Sequence, residues 1–320
     1  MTKILLSNAG RRSYLVEYLI QLRDATNRQL EIYVSDVSKT AASMMVSGDV
    51  KTILTPRVSN NPQEYVEILI QKCEEHGIDI VIPLMDYELP VLARQRERFA
   101  EIGTAVVVAD PWTIDIAISK EETFSFCSEH RIRTPKTIRG GDTISGLVLP
   151  VIMKKTAGSG SVDQVELTRP EMLPETVPDG FVLQEKLTGA EFGMDVLNDM
   201  SGQYVHSTVR RKIAMRYGET DQAEVLPDNE FEIYARQISA AFRHRGNMDI
   251  DFFVDSSGLP WFIDFNPRFG GGYPFTHQAG VNYLAYILDL ISGEIPDEIR
   301  PPRRMIGSKG IRLFHSEVVE

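Results

Sequence analysis

The sequence predicts an α/β domain with a mostly parallel sheet, followed by an α+β region built on antiparallel hairpins. Three observations support this fold class. Short apolar strands alternate with amphipathic helices up to about residue 118, as in a doubly wound sheet. From Ser119 onward, hairpins with glycine-containing turns replace that alternation. The length of 320 residues suits two domains, at roughly 150 residues each.

The N-terminal elements follow from hydrophobic periodicity and from helix-capping residues. In the helix predicted over 62–76, Asn61 suits the N-cap, Pro62 the first helical position and Gly77 the end. Another helix, over 13–23, carries leucines along one face. The strands between the helices are predicted at 3–7, 31–35, 78–83 and 105–109.

The second region begins with Ser119-Lys-Glu-Glu122, a capping box that opens a helix to about residue 130. Further helices are predicted over 229–244 and 282–292. The predicted strands are 151–155 and 181–185, then two hairpins with arms 192–198 and 204–215, and 248–254 and 260–265.

Composition excludes several classes of protein. The two cysteines, Cys73 and Cys127, have no partner spacing, which excludes a disulfide framework and fits a reducing cytoplasm. The net charge of −11 argues against a nucleic-acid partner. No apolar run approaches the ~18 residues of a membrane span, so we expect no membrane partner. A homo-oligomer is compatible with these features.

The first βα turn, Ser7-Asn-Ala-Gly-Arg-Arg12, lacks the spaced glycines of a dinucleotide fingerprint. Only Gly10 is present, so we expect a scaffold without a cofactor of its own. Arg11 and Arg12 could face a substrate anion, but arginines in the first turn of a helix are also often only solvated.

A strand that ends in a lysine and a loop of small residues is typical of a phosphate site. In Val151-Ile-Met-Lys-Lys-Thr-Ala-Gly-Ser-Gly-Ser161, the strand delivers Lys154, and the backbone N–H groups of the loop can form an anion nest. A surface turn with two solvated lysines explains this segment equally well.

The second hairpin carries a set of oxygen ligands. Strand alternation places Asp249 and Asp251 on one face of their strand, and Asp264 and Asn266 on one face of the next. Mg²⁺ prefers one or two carboxylates plus substrate phosphates. Arg268 follows closely, where it can neutralise a transferring phosphoryl group. The alternative is a hairpin with a polar, solvent-facing side.

A third motif, Gln184-Glu-Lys-Leu-Thr-Gly-Ala-Glu191, stands between these two, and Asp264-Phe-Asn-Pro-Arg-Phe-Gly-Gly-Gly272 completes the set. In this order the motifs resemble the ATP-grasp superfamily and, within it, one half of the carbamoyl-phosphate synthase large subunit. The resemblance covers nearly the whole chain. It implies a Rossmann-like pre-ATP-grasp domain over 1–118 and a two-lobed ATP-grasp domain over 119–310. The small lobe would span about 119–190 and the large lobe about 191–310, followed by a C-terminal segment over 311–320.

The resemblance also implies roles for individual residues. The ATP phosphates would meet Lys120, Lys154 and a flap formed by Gly158, Ser159, Gly160 and Ser161. Adenine would lie beside Glu185, Lys186 and Leu187, with Glu191 on the ribose. Mg²⁺, or Mn²⁺ in its place, would be held by Asp251, Asp264 and Asn266. Arg268 would be catalytic, and Arg210 and Arg216 would meet the substrate or the acyl phosphate.

Two metal positions depart from the family pattern. Asp264 stands where the family usually has Glu, and Asp251 stands where Gln is common. The sequence contains a single ATP-grasp unit without a glutaminase region, which argues against carbamoyl-phosphate synthesis itself. We therefore expect a ligase that activates a small carboxylate as an acyl phosphate for an amine or thiol. A small-molecule kinase and a non-catalytic nucleotide-binding regulatory subunit are the alternatives.

Overall fold

Three β-sheets organise the chain in the computed structural model, which describes residues 1–26, 28–157, 164–216, 218–227 and 229–309. The first sheet is parallel, with strand order β3-β2-β1-β4-β5. Its strands are β1 (Thr2–Ser7), β2 (Leu30–Asp36), β3 (Val50–Leu54), β4 (Ile80–Pro83) and β5 (Ala105–Val106). Its helices are α1 (Ser13–Thr26), α2 (Pro62–His76), α3 (Leu89–Glu101) and α4 (Pro111–Ile118).

Alternation along the buried strands covers both faces of this sheet. In β1, Ile4 and Leu6 join the core beneath α1, while Leu5 joins the core beneath α2 and α3. The core under α1 also takes in Tyr273, Tyr283 and neighbouring apolar residues from the C-terminal half. The two halves of the chain therefore share one continuous hydrophobic core.

The second sheet is small and antiparallel, with strand order β6-β9-β7-β8. Helix α5 (Lys120–Glu129) precedes it, and the Ser119 side chain accepts a hydrogen bond from the Glu122 N–H, as the capping box predicts. The strands are β6 (Thr137–Ile138), β7 (Val151–Lys155), β8 (Val165–Leu167) and β9 (Phe181–Glu185).

The third sheet has six antiparallel strands in the order β14-β13-β10-β11-β12-β15. They are β10 (Ala190–Asn198), β11 (Tyr204–Arg216), β12 (Glu219–Leu226), β13 (Gly246–Val254), β14 (Pro260–Asn266) and β15 (Met305–Ser308). The associated helices are α6 (Glu232–Phe242), α7 (Tyr273–Gln278) and α8 (Tyr283–Ile291).

The predicted fold class, α/β followed by α+β, is confirmed. Helix α2 has both predicted ends, since Asn61 accepts the Glu64 N–H at 3.2 Å and Gly77 adopts a φ of 63°. Helix α6 is shorter than predicted because the Asn229 side chain accepts the Phe231 N–H in a turn, and Arg243 is left-handed with a φ of 47°. The domain boundaries at 118 and 190 stay predictions.

Within the ranges described above, no helix is both long enough and apolar enough to cross a membrane.

Candidate active site

A pocket of about 170 Å³ lies where the parallel sheet, the start of α5 and strand β14 meet. Asp86 and Tyr87, in the loop after β4, line one side. Lys120 and Ala157 line another, and residues 264–267 complete the wall. The structure thus brings together Lys120, Asp264 and Asn266, which are far apart in the sequence.

Lys154 is almost completely buried, with 9% of its surface exposed, and its hydrogen-bond partner Gln184 lines a second, small pocket with Lys120 and Asp264. Its Nζ donates to the Gln184 Oε1 at 2.6 Å, and the Gln184 amide donates to the Thr137 hydroxyl at 2.8 Å. Burial, and after it the charge of the nearby Lys120, lower the pKa of Lys154 to about 8, while Asp264 opposes this shift. Lys154 is buried and Lys120 is half-buried, and the charge of each acts on the other. Two neighbouring cations of this kind favour an anionic ligand such as a phosphate.

This environment predicts a pH-dependent ATP affinity. Below pH 8 Lys154 is already protonated, so the affinity should be flat. Above pH 8, ATP binding must take up a proton, and the affinity should fall by up to about tenfold per pH unit.

Lys154→Met should abolish this pH dependence of ATP affinity. Lys155→Met is the matched control, because Lys155 is exposed on the opposite face of β7. Calorimetric titration of ATP between pH 7 and about 9.5 measures the effect; a pH dependence that persists in Lys154→Met would contradict the assignment.

The carboxylate hairpin has the predicted alternation. Asp249 pairs in register with Asn266, and Asp251 pairs with Asp264, so the four side chains share one face. Burial, together with the charges of Asp249 and Asp264, raises the pKa of Asp251 to about 6 against the opposing charge of Lys212. Crowded carboxylates of this kind fit a divalent cation.

This donor set suits a metal ion that is shared with a phosphate. In the part of the chain that the structure describes, no three His, Cys, Asp or Glu side chains are grouped to hold a metal by themselves. Asp251, Asp264 and Asn266 would provide two carboxylates and one amide oxygen, and Mg²⁺ typically takes its remaining ligands from water and substrate phosphates.

Lys212 is a site residue that the sequence analysis missed. It is 3% exposed, and its Nζ contacts the Glu191 Oε1 at 2.8 Å and the Asp251 Oδ1 at 2.7 Å. It therefore connects the predicted ribose ligand with a predicted metal ligand. Strand alternation could have found it, since Lys212 lies two residues after Arg210 and so on the same face of β11.

Arg268 stands at the junction between the hairpin and the α/β domain. Its Nε donates to the Asp86 Oδ1 at 2.8 Å, and its NH2 donates to the Asn266 Oδ1 at 3.2 Å. The Asp249 carboxylate lies 3.7 Å from its NH1. Asp86 is a second residue that the sequence analysis did not assign, and it fixes the Arg268 guanidinium at the edge of the pocket.

Arg210 is buried rather than exposed to the pocket. Its guanidinium is 1% exposed and lies between Asp195, at 2.6 Å, and Asp249. Burial raises the pKa of Asp195, whereas the charges of Arg210 and Arg268 outweigh burial and lower the pKa of Asp249. Arg210 thus acts on the site through Asp249, which also contacts Arg268.

The buried ion pair of Arg210 and Asp249 explains why three glycines, Gly270–Gly272, follow Phe269. A Cβ on Gly270 would lie 2.0 Å from the Asp249 Oδ2, and one on Gly272 would lie 2.1 Å from the Arg210 Cζ. Only glycine allows the backbone to cover these charges so closely. Arg216, the other predicted substrate residue, is more than half exposed and contacts Asp221 at 3.4 Å.

The residues predicted to bind adenine lie at the end of β9. Gln184, just before them, lines a small pocket with Lys120 and Asp264. The Lys186 N–H donates to the Pro150 carbonyl at 3.2 Å, and its Nζ pairs with Glu166 at 2.7 Å. Leu187 is half-buried. The predicted flap residues Gly158, Ser159, Gly160 and Ser161 lie outside the described residues, as does the segment 311–320.

Comparisons with known proteins agree with this architecture. Residues 4–107 match the family model "PylC-like, N-terminal domain", and residues 178–311 match "ATP-grasp in the biosynthetic pathway with Ter operon". A search of curated proteins finds no match.

Several solved structures share the whole fold. L-amino acid ligase from Bacillus licheniformis is 18% identical with a TM-score of 0.69, covering 94% of this chain and 78% of that one. N5-carboxyaminoimidazole synthetase from Staphylococcus aureus, complexed with ADP, is 15% identical with a TM-score of 0.73, covering 95% and 81%. The biotin carboxylase domain of the 2-oxoglutarate carboxylase from Hydrogenobacter thermophilus, in complex with MgADP, is 17% identical with a TM-score of 0.70, covering 94% and 72%.

The ATP-grasp model matches the region that carries β10 to β15, and the three-sheet architecture agrees with that match. A PylC-like α/β domain precedes the ATP-grasp region, which confirms the resemblance to the superfamily.

Proposed function

We propose that this protein is a Mg²⁺- and ATP-dependent ligase that activates a small carboxylate as an acyl phosphate for an amine or thiol. The observation that carries the proposal is the pocket shared by Lys120, Asp264 and Asn266, with Arg268 at its edge. The fold supports an ATP-dependent ligase in general. An amino acid ligase and a biotin carboxylase domain, each built on this fold, are consistent with carboxylate chemistry.

Lys120 and Lys154 have the charge and the position to bind the phosphates of ATP. Residues 158–161 would cover them, with adenine beside Glu185, Lys186 and Leu187 and the ribose at Glu191. Asp251, Asp264 and Asn266 would hold Mg²⁺, or Mn²⁺ in its place, which neutralises phosphate charge when it is bound.

The reaction that fits this arrangement has two steps. A carboxylate oxygen of the substrate attacks the γ-phosphorus of ATP, and the bond to the bridging oxygen breaks to release ADP. The amine or thiol then attacks the carbonyl carbon of the acyl phosphate, inorganic phosphate leaves, and the nucleophile loses a proton. Arg268 stabilises charge on the phosphoryl group during the first step, held in place by Asp86 and Asn266.

Carboxylate-dependent ADP release is the expected activity. With Mg²⁺ and ATP, ADP should form rapidly only when a suitable carboxylate is present, because in the proposed first step the substrate carboxylate is the acceptor of the γ-phosphoryl group. A panel of small carboxylates, each tested with and without amines and thiols in a coupled ADP assay, measures this. ADP release driven by alcohols would favour a kinase instead. No release with any substrate, together with ATP binding, would favour a regulatory subunit.

A further inference from the structure

The first βα turn reaches the glycine run that follows Arg268. Tyr14, in the first turn of α1, donates a hydrogen bond to the Gly270 carbonyl oxygen at 2.8 Å. Because Gly270 is only two residues after Arg268, the start of α1 lies beside the end of the proposed phosphate pocket. A substrate whose carboxylate reacts beside Arg268 would extend toward the side chains of this turn.

Arg12 brings a second guanidinium close to this space. Its Nε is buried and has no hydrogen-bond partner among the described residues. Burial raises the pKa of Tyr14, and the charge of Arg12 opposes that rise more strongly than the charge of Arg268 does. The charges of Arg12 and Arg268 therefore both act on the same phenol. A buried guanidinium N–H without an acceptor favours a ligand that supplies one.

The nearby carboxylate does not serve Arg12. Glu219 lies 3.7 Å from the Lys309 Nζ and 3.8 Å from the Arg11 guanidinium. The Glu219 side chain also packs against Gly271, since a Cβ on Gly271 would lie 3.1 Å from the Glu219 Cδ. Lys309 donates to the Gly271 carbonyl oxygen as well. Asp249 is the second carboxylate that acts on Tyr14 and on Lys309, so two carboxylates, Glu219 and Asp249, stand against the four cations Arg11, Arg12, Arg268 and Lys309.

We propose that Arg12 binds a second carboxylate of the substrate, which makes the substrate a small dicarboxylate. The proposal rests on the proposed function, since Arg268 places the reacting carboxylate. A guanidinium matches a carboxylate with two parallel hydrogen bonds. A monocarboxylate of the same length would leave the buried Nε without an acceptor, so the site would discriminate against it.

Calorimetric titration in the presence of Mg²⁺ and ADP tests this without turnover. The probes are succinate, glutarate and adipate, each compared with the monocarboxylate of the same chain length: butyrate, pentanoate and hexanoate. At least one dicarboxylate should bind about tenfold or more tightly than its partner, and Arg12→Met should remove that difference. Arg12→Lys should restore part of it, because it keeps the charge but loses the planar fork.

Arg11→Met is the matched control. It removes the same charge from the neighbouring residue, whose side chain is 76% exposed, and it should change dicarboxylate affinity by less than about twofold. The proposal fails if no dicarboxylate binds, if monocarboxylates bind as tightly, or if Arg12→Met and Arg12→Lys both keep the preference. Carboxylate-dependent ADP release would still stand in each of these cases, so the two proposals can fail separately.

Discussion

Replacing Arg268 with alanine should lower kcat and kcat/KM together by about 10²–10³-fold while ATP affinity changes little. The reason is that Arg268 stands at the edge of the pocket, where charge develops only during phosphoryl transfer. Its guanidinium is fixed in advance by Asp86 and Asn266, so no reorganisation is needed when the reaction occurs. Steady-state kinetics on an identified carboxylate, with ATP binding measured by calorimetry, separates the two effects.

Arg236→Ala is the control for this variant, since Arg236 is an exposed arginine on α6 that contacts Glu232 at 2.6 Å and the Tyr204 ring, neither of which lines the pocket. Its kinetics should match those of the unmodified protein. If Arg268→Ala turns over normally, or if it loses ATP binding in proportion to turnover, then Arg268 does not act on the transition state.

Replacing Arg210 with methionine should produce the largest loss of stability, about 3–5 kcal/mol in the free energy of unfolding. The change leaves two buried carboxylates, Asp195 and Asp249, without their shared counter-ion. Thr276 and Asn247 still donate hydrogen bonds to Asp195, but neither supplies charge. Against a typical total of about 5–15 kcal/mol, a loss of this size brings the protein close to unfolding. Equilibrium urea denaturation measures it.

Arg211→Met provides the comparison in the adjacent position. Arg211 is half exposed and pairs with Glu224 at 2.8 Å on the other face of β11. Its loss should cost less than about 1 kcal/mol, because Arg211 is half exposed and the buried Glu224 keeps Arg304 as a partner at 2.7 Å. Equal losses for the two variants would show that the buried network around Arg210 does not stabilise the fold.

The parts of the fold that the sequence predicts are those specified by local chemistry. Helix α2 has its cap and its terminating glycine in sequence, and both take the expected geometry. The hairpin β13–β14 has a period of two, so the shared face of Asp251 and Asp264 follows from alternation alone. Strands β3 and β15 were missed because most of their residues are exposed or half-exposed and show no strong apolar pattern.

The remaining features of the site depend on contacts between distant segments. Nothing near Asp86 in the sequence indicates that it meets Arg268, and the burial of Arg210 depends on Asp195 and on the glycine run. Lys212 could have been predicted, because it lies two residues after Arg210 and therefore on the same face of β11. The roles that the superfamily resemblance implies for Glu185, Lys186 and Leu187 stay predictions.

Trapping of the acyl phosphate tests the central claim most directly. A carboxylate that drives ADP release should be incubated with Mg²⁺, ATP and hydroxylamine, and the products identified by mass spectrometry. We predict the hydroxamate of that carboxylate, formed in proportion to ADP and absent when ATP is omitted. Arg268→Ala should lower both products by the same factor. ADP formed together with a stable phosphate ester on a substrate hydroxyl, and with no hydroxamate, would contradict the account.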